Sequence, residues 1–220
     1  MMKEILYEDN HLLVVVKKPN IPVQSDDSGD LDLLTELKEY LKKKYQKPGN
    51  VYLGLIHRLD RPVGGIMVFA KTSKAAGRLS EQVRSRKIEK KYLALVYNKF
   101  DKREGKLIDY IIKDPITFSS KITDKKIGQE AIMEYKVLNY DSNTNFSIVE
   151  INLLTGRHHQ IRVQLTNFNH PIFGDQRYGP EQNKVQIHLW ASNLKFSHPI
   201  TNEIMSFKNL PSWYQGENYE

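Results

Sequence analysis

The alternation of apolar and polar positions predicts a chain that mixes strands and helices. Ile5-Leu6-Tyr7 and Leu12 to Val16 are strand-like runs separated by the turn residues Glu8-Asp9-Asn10, which predicts an N-terminal hairpin. Ile66 to Ala70 is apolar on both faces, which is typical of a central strand. Further strands are expected at Lys91 to Asn98, Ala131 to Asn139, Phe146 to Leu154 and Gln186 to Phe196.

Three helices are predicted from apolar side chains spaced three and four residues apart. The first begins after an Asp30 N-cap and ends near Lys47, the second begins at Ser73, and the third is capped by Thr155. Their inward-facing side chains are Leu34, Leu37 and Leu41 in the first, Ala75, Leu79 and Val83 in the second, and Ile161, Leu165 and Phe168 in the third.

The stretch 98–130 is polar and contains only short β-like pieces, so it predicts a hairpin or an insertion rather than core. No internal repeat, linker or low-complexity block divides the chain. A single mixed α/β domain is therefore expected over residues 1–220.

The amino-acid composition favours some binding partners and excludes several kinds of site. The chain has 220 residues, with 33 Lys and Arg against 26 Asp and Glu, which gives a net charge of +7 and favours a polyanionic partner. It has no cysteine, which excludes disulfides, zinc-thiolate sites, iron–sulfur clusters and thiol nucleophiles. The longest aliphatic run, Leu12 to Val16, is far shorter than the roughly 20 residues that span a bilayer. A cytoplasmic protein with no membrane segment is expected.

The segment His57-Arg58-Leu59-Asp60-Arg61 is the strongest candidate for catalysis. It places Asp60 between two guanidinium groups just before a glycine-containing turn. Neighbouring arginines favour the ionised carboxylate, which can then act as a nucleophile or base. From this segment alone, a surface ion pair is the favoured interpretation, because structural Asp/Arg pairs also perturb carboxylates.

Further motifs favour a catalytic role for Asp60 over a surface ion pair. Lys90-Lys91-Tyr92 introduces a strand, and Thr155-Gly156-Arg157-His158-His159-Gln160-Ile161-Arg162 precedes an apolar helix. Together with Val14 to Pro19, Phe69-Ala70-Lys71-Thr72, His170 to Asp175 and Phe196 to Pro199, these segments resemble the RluA-type family of RNA pseudouridine synthases over nearly the whole chain. The resemblance implies an α+β catalytic domain whose mixed, mostly antiparallel sheet is flanked by helices and has an RNA-binding cleft.

The resemblance also implies an isomerase that converts uridine in RNA to pseudouridine without cofactor or metal. It assigns the catalytic carboxylate to Asp60, the ring that stacks on the target uracil to Tyr92, and pairing with the catalytic carboxylate to Arg162. Breaking the bond between N1 and C1′ leaves an electron-poor sugar carbon, which a carboxylate can stabilise, trap or deprotonate. Attack at C1′, attack at C6 and removal of the C2′ proton all remain open, and all require an ionised Asp60.

The expected partner is a stem-loop of ribosomal or transfer RNA, bound by a monomer. A stacked uridine must be extruded before it can react, and phosphate contacts offset that cost. The residues expected to contact RNA are His57, Arg58, Arg61, Lys71, Lys90, Lys91, Arg157, His159 and Gln160.

Several departures from the family pattern keep a second interpretation open. Pro62-Val63-Gly64-Gly65 replaces a turn that usually carries hydroxyl residues, and His158 stands where a small hydroxyl residue is common. A separate upstream RNA-binding (S4-like) domain is not expected. The alternative is a non-catalytic RNA-binding or RNA-folding protein that retains the synthase fold. A metal site is not expected, because the seven histidines form no ligand motif.

Overall fold

The computed structural model describes residues 4–180 and 185–214. Within them lie eleven strands and three helices, so the predicted mixed fold class is confirmed. The strands are β1 (Glu4–Glu8), β2 (Leu12–Lys17), β3 (Gly54–Leu55), β4 (Gly64–Ala70), β5 (Glu89–Tyr97), β6 (Glu104–Lys113), β7 (Ser120–Thr123), β8 (Gln129–Asp141), β9 (Phe146–Leu153), β10 (Leu189–Ser197) and β11 (Ile204–Lys208). The helices are α1 (Leu33–Lys44), α2 (Ser73–Arg84) and α3 (Gln160–Asn167).

Contacts along the chain divide it into two compact units. Unit 1 runs up to Ile88 and includes Asn193–Asn209, and unit 2 comprises Glu89–Ser192 and the chain from Leu210 onward. Strand β10 begins in unit 2 and ends in unit 1. The expectation of a single domain over residues 1–220 stays a prediction.

Unit 1 is built on the antiparallel strands β1, β2 and β4, in that order. Every residue of β2 and β4 is buried, which explains why both segments are apolar on both faces, with Lys17 at the end of β2 as the exception. Helix α2 covers this sheet, with Ala75 and Leu79 packed against Val14 of β2 and Val68 of β4. The predicted N-terminal hairpin and the predicted start of α2 are both confirmed.

The start of α1 lies two residues later than predicted. Its N-cap is Asp32, whose carboxylate accepts hydrogen bonds from the backbone N–H of Thr35 at 2.9 Å and from the Thr35 hydroxyl at 2.8 Å. Asp30 instead pairs with Arg61. The buried stripe of α1 accordingly contains Leu33 in place of the predicted Leu34, and the helix ends at Lys44 rather than near Lys47.

Unit 2 contains the antiparallel strands β5, β9, β8, β6 and β7, in that order. The predicted hairpin between residues 98 and 130 is confirmed by the pairing of β6 with β7, but the expectation that this stretch contributes no core is wrong, because Phe100 and Ile111 are buried. Helix α3 packs on these strands through Val163, which contacts Ile111 of β6 and Ala131 of β8.

The predicted cap of α3 is wrong. Thr155 lies before the helix, and its hydroxyl donates to the Gln160 side chain at 2.8 Å and accepts from the backbone N–H of Ile132 at 2.7 Å. His159 occupies the N-cap position in a left-handed conformation with no capping bond from its side chain. Phe168, predicted to face inward, ends the helix with 40% of its surface exposed.

Candidate active site

The backbone around Asp60 is held from both sides within unit 1. The Asp60 carbonyl accepts from the Val63 N–H at 3.0 Å, and the Arg61 carbonyl accepts from the Asn20 N–H at 2.8 Å. His57 Nε2 accepts from the Val68 N–H at 3.2 Å, which ties the start of the segment to β4. Asp60 itself is half-buried. The predicted catalytic carboxylate therefore sits on a constrained turn rather than on a loose surface loop.

Lys17 is a site residue that was not predicted from the sequence. It is fully buried at the end of β2, and its Nζ donates to the carbonyl of Lys18 at 3.0 Å and to the carbonyl of Arg61 at 2.9 Å. Burial lowers the pKa of Lys17 to about 7; attraction by Asp60 opposes this shift and repulsion by Arg61 adds to it. The available signal was a lysine that continues the apolar strand Leu12 to Val16.

The two arginines that flank Asp60 differ in their surroundings. Arg61 pairs with Asp30 and lies 3.6 Å from Asp26, with 40% of its side chain exposed. Arg58 is exposed and has no hydrogen bond or ion pair within residues 4–180 and 185–214. Of this pair, Arg58 is the cation whose charge is available to an external anion.

Lys71 belongs to an internal cluster centred on Glu8. The Glu8 carboxylate accepts from Lys71 at 2.9 Å, from Lys44 at 2.7 Å, and from the hydroxyls of Tyr40 at 2.9 Å and Tyr45 at 2.6 Å. Burial alone would raise the pKa of Glu8, but these bonds lower it to about 2. Only 11% of the Lys71 side chain is exposed, so the predicted RNA contact would require it to leave this cluster.

Tyr92, the predicted stacking residue, lies on β5 in unit 2. It is 6% exposed and stands in register with Ile151 of β9. Ala94 and Val96 follow on the same strand face and are fully buried. The aromatic ring is therefore fixed by the sheet rather than carried on a loop.

Arg162 on α3 is held by Asp175. Its Nε and Nη2 donate to the two carboxylate oxygens at 2.8 and 2.6 Å, which forms a bidentate pair. Asp175 is fully buried and also accepts from the backbone N–H groups of Arg177 and Tyr178 at 3.0 and 3.1 Å. The predicted pairing of Arg162 with Asp60 concerns residues of different units and stays a prediction.

The turn at Gly174 places the Asp175 carboxylate next to Arg162. It has a φ of +76°, and a Cβ at this residue would lie 2.3 Å from the carbonyl oxygen of Gln186. The segment His170 to Asp175 belongs to the motifs that carry the family resemblance, but no role was predicted for Asp175. The carboxylate that orients Arg162 was therefore missed, although its position after a glycine turn was visible in the sequence.

Gln160, predicted to contact RNA, is buried in an internal chain of hydrogen bonds. Its Oε1 accepts from the Thr155 hydroxyl at 2.8 Å and from the Arg157 N–H at 3.0 Å. Its Nε2 donates to Gln164 at 2.9 Å, and Gln164 donates in turn to Asp109 at 2.7 Å. Because both ends of the amide are occupied, Gln160 shapes the start of α3 from inside.

The two adjacent histidines lie over a tyrosine and a serine of unit 2. His159 Nδ1 is 2.7 Å from the hydroxyl of Tyr178, and that hydroxyl accepts from the Ser120 N–H at 2.7 Å. His158 Nδ1 is 2.9 Å from the Ser120 hydroxyl. These contacts hold the two imidazole rings against Tyr178 and Ser120.

The remaining predicted cations of unit 2 fall into two groups. Lys91 pairs with Glu150 at 2.8 Å, and Arg157 Nε donates to the carbonyl of Glu130 at 2.8 Å. Lys90 is half-buried, and the described part of the chain offers its ammonium no ion pair or hydrogen bond. Burial lowers the pKa of Lys90, so an added anion would relieve an existing cost.

Two features are absent from residues 4–180 and 185–214. No group of three or more His, Asp or Glu side chains there is arranged to hold a metal ion. No helix in that part of the chain is long and apolar enough to cross a bilayer.

Known proteins similar to the chain are RNA-modifying enzymes by name. A family model described as RNA pseudouridylate synthase matches residues 11–167. The chain is 32% identical over 209 residues to the uncharacterized RNA pseudouridine synthase YhcT of Bacillus subtilis, across 92% of the chain and 66% of that protein. It is 33% identical over 215 residues to ribosomal large subunit pseudouridine synthase C of Buchnera aphidicola subsp. Schizaphis graminum, across 93% and 66%.

A shorter relative is matched along most of its length. The dual-specificity RNA pseudouridine synthase RluA of Haemophilus influenzae is 33% identical over 210 residues, across 93% of the chain and 91% of that protein. By contrast, the chain spans just under two thirds of YhcT and of the Buchnera synthase, at 66% of each.

Solved structures agree in fold. Human RNA pseudouridylate synthase domain containing 4 is similar with a TM-score of 0.79 and 24% identity, covering 95% of this chain and 89% of that one. Human RNA pseudouridylate synthase domain containing 1 gives a TM-score of 0.78 and 23% identity, covering 99% and 86%. At these identities the likeness concerns the fold alone.

Proposed function

The chain belongs to the RNA pseudouridylate synthase family, and from that membership we propose that it isomerises uridine to pseudouridine in ribosomal or transfer RNA, with Asp60 as the catalytic carboxylate. The observation that supports this proposal most is the extent of the family match, because residues 11–167 include Asp60, Tyr92 and Arg162. Action in the cytoplasm and as a monomer are further parts of the proposal.

The proposed reaction is an isomerisation and needs no second substrate. The bond between N1 and C1′ of uridine breaks, the uracil turns while it stays bound, and a bond between C5 and C1′ forms. The hydrogen on C5 leaves as a proton, and N1 gains one, so the atoms balance.

Asp60 supplies the carboxylate that this reaction requires. Attack at C1′, attack at C6 and removal of the C2′ proton are the three ways in which it can act. The turn that carries Asp60 is closed by the Val63 N–H, and the carbonyl of the next residue is held by Asn20 and Lys17. A carboxylate fixed in this way loses little freedom when substrate binds, which favours a catalytic role.

Tyr92 and Arg162 take supporting roles in the proposal. A detached uracil must turn without escaping, and the broad face of Tyr92 allows rotation while it excludes water. Because Tyr92 is only 6% exposed, its neighbours must move to open the ring face to a uracil, while strand β5 holds its backbone in place. Arg162 would orient the catalytic carboxylate, and its bidentate pairing with Asp175 holds the guanidinium in one plane.

RNA binding in this proposal rests first on Arg58 and Lys90. Extruding a uridine costs roughly a few kcal/mol, and phosphate contacts offset it. Both side chains lack an ion pair within the ranges 4–180 and 185–214, so neither must break an internal bond to reach a phosphate. Lys91, Arg61, Arg157 and Lys71 each have an acidic or carbonyl partner already.

The test uses ribosomal and transfer RNA transcripts that carry tritium at C5 of uridine. Because the C5 hydrogen is lost when the new bond forms, activity releases tritium to solvent. We expect the purified protein to release tritium and Asp60→Ala to release none while binding RNA with unchanged affinity. Asp27→Ala removes an exposed acid of the same unit and should match the wild type.

Mapping of pseudouridine in cellular RNA then identifies the substrate. A site that disappears when the gene is deleted, and returns with the wild-type gene but not with Asp60→Ala, would name the uridine. Full activity in Asp60→Ala would refute the assignment of the carboxylate. Tight RNA binding without tritium release by the wild type would favour the non-catalytic RNA-binding alternative, which the Pro62-Val63-Gly64-Gly65 turn motivates.

A further inference from the structure

Lys17 is a charged group that the proposed reaction does not use directly. It is the last residue of β2, stands in register with Gly65 of β4, and has no exposed surface. Its ammonium is held by two backbone carbonyls, those of Lys18 and Arg61, rather than by a carboxylate in hydrogen-bonding contact. The second of these carbonyls belongs to the residue directly after Asp60.

An ammonium in this position is costly. Desolvation of a cation that is not repaid by a bonded carboxylate favours the neutral amine, and an apolar side chain would avoid the cost. The five residues of β2 that precede Lys17 are all aliphatic. The ammonium stabilises the Asp60 turn in exchange. Among the described residues, the Arg61 carbonyl accepts from the Lys17 ammonium in addition to the Asn20 N–H.

The charged groups that act on Lys17 are Asp60 and Arg61. Strand β4, which pairs with β2 on one side, has no titratable side chain. On the other side, the acids of β1 have partners of their own, since Glu8 binds Lys44 and Lys71, and Glu4 accepts from Asn209. A change in the charge of Lys17 therefore acts mainly on the electrostatics of the Asp60 turn.

We propose that Lys17 is a positioning residue for the Asp60 carboxylate, holding the Arg61 carbonyl and supplying a buried positive charge to the catalytic turn. This inference rests on the proposed function, because it assumes that Asp60 does the chemistry. The pKa of Lys17 is about 7, so its charge is present below that pH and is lost as the pH rises through it. Turnover should fall over the same range, since the neutral amine no longer attracts the carboxylate.

The experiment measures single-turnover tritium release from C5-labelled transfer RNA transcripts between pH 6 and 9. We expect the wild-type rate to fall about tenfold through a midpoint near 7, as is typical for loss of a hydrogen bond from a charged group. Lys17→Met should be about tenfold slower at pH 6 and should lack this fall. Lys208→Met removes a charge from an exposed strand position of unit 1 and should keep the wild-type profile.

A second measurement does not depend on activity. In protein labelled with carbon-13 at lysine Cε, the resonance that disappears in Lys17→Met identifies Lys17. We expect this resonance to titrate in the wild type with the midpoint seen in the rate. Should Lys17→Met fail to fold, Lys17→Arg, which keeps the positive charge, supplies the assignment, and agreement or disagreement of the two wild-type midpoints then decides the question.

The outcomes separate the two proposals. A wild-type protein that releases no tritium at any pH refutes the proposed function. An active wild type whose rate and pH profile are shared by Lys17→Met refutes the role of Lys17 while the proposed function stands. A Lys17 resonance that stays charged to pH 9 while the rate falls near 7 also refutes it.

Discussion

Removing the charge of Asp175 should expose how much the site depends on its buried ion pair. The Asp175→Asn substitution keeps the size of the side chain but replaces one carboxylate oxygen with an amide that donates. Arg162 Nε and Nη2 both donate to the present carboxylate, so the new amide places a donor against a donor. The Arg162 guanidinium then loses its bidentate partner in a place where its own side chain is only 6% exposed.

The magnitude follows from burial. Breaking a buried ion pair by changing one partner costs about 3–5 kcal/mol, because the remaining charge is left uncompensated. The backbone N–H groups of Arg177 and Tyr178 also donate to Asp175, and the surviving oxygen can keep these bonds. We therefore expect Asp175→Asn to lower the free energy of unfolding of unit 2 by about 3–5 kcal/mol. Turnover should fall as well, since Arg162 is no longer held in one plane.

The assay is urea unfolding followed by tryptophan fluorescence. Both tryptophans, Trp190 and Trp213, lie in unit 2, so the signal reports on the unit that contains the ion pair. Lys106→Met is the control, because it breaks an exposed pair with Glu134 in the same unit and should change stability by about 0.5 kcal/mol or less. An Asp175→Asn protein within about 1 kcal/mol of the wild type would refute the reasoning, since a buried pair would then be worth no more than a surface pair.

Two further predictions concern one group in each unit. Folded Glu8 has a pKa of about 2 against an ordinary 4.5, which corresponds to roughly 3 kcal/mol, or about 2 kcal/mol after screening by solvent at its partners. Glu8→Gln should lose this stability at pH 7. The difference in stability between Glu8→Gln and the wild type, measured by thermal or urea unfolding, should shrink as the pH falls from 4.5 towards 2, because the wild-type carboxylate is then protonated. A difference that stays constant over this range would contradict the prediction. In unit 2, Lys90→Met should weaken RNA binding and lower the slope of log affinity against log salt by about 1, and an unchanged slope measured by fluorescence anisotropy would exclude a phosphate contact.

Most strands were predictable because their pattern is local, whereas β3 and β11 were not predicted. Burial on both faces of β2 and β4 requires continuous apolar runs, and the half-buried strands β8 and β9 require alternation. The start of α1 was less predictable because Asp30 and Asp32 are both good N-caps. What separates them is Arg61, which is distant in sequence and pairs with Asp30.

Which residues belong to the site was largely predictable, but the side chains with which they form ion pairs and hydrogen bonds were not. The position of Asp60 followed from the motif, whereas the role of Asp175 depends on a turn through Gly174 that brings it to Arg162. Gln160 was assigned to RNA because it is polar and close to the motif. Its amide is instead satisfied inside, which no local pattern reveals because its partners include the carbonyl of Ile132 on another strand.

The predicted RNA-contacting cations can be ranked by what each must give up to reach a phosphate. Lys71 would have to leave Glu8, and its departure would leave a buried carboxylate with one donor fewer. Arg58 and Lys90 have no such bond within residues 4–180 and 185–214, so a phosphate contact costs them only side-chain freedom. Changes at the first kind of cation should therefore appear mainly in stability, and changes at the second kind mainly in RNA affinity and its salt dependence.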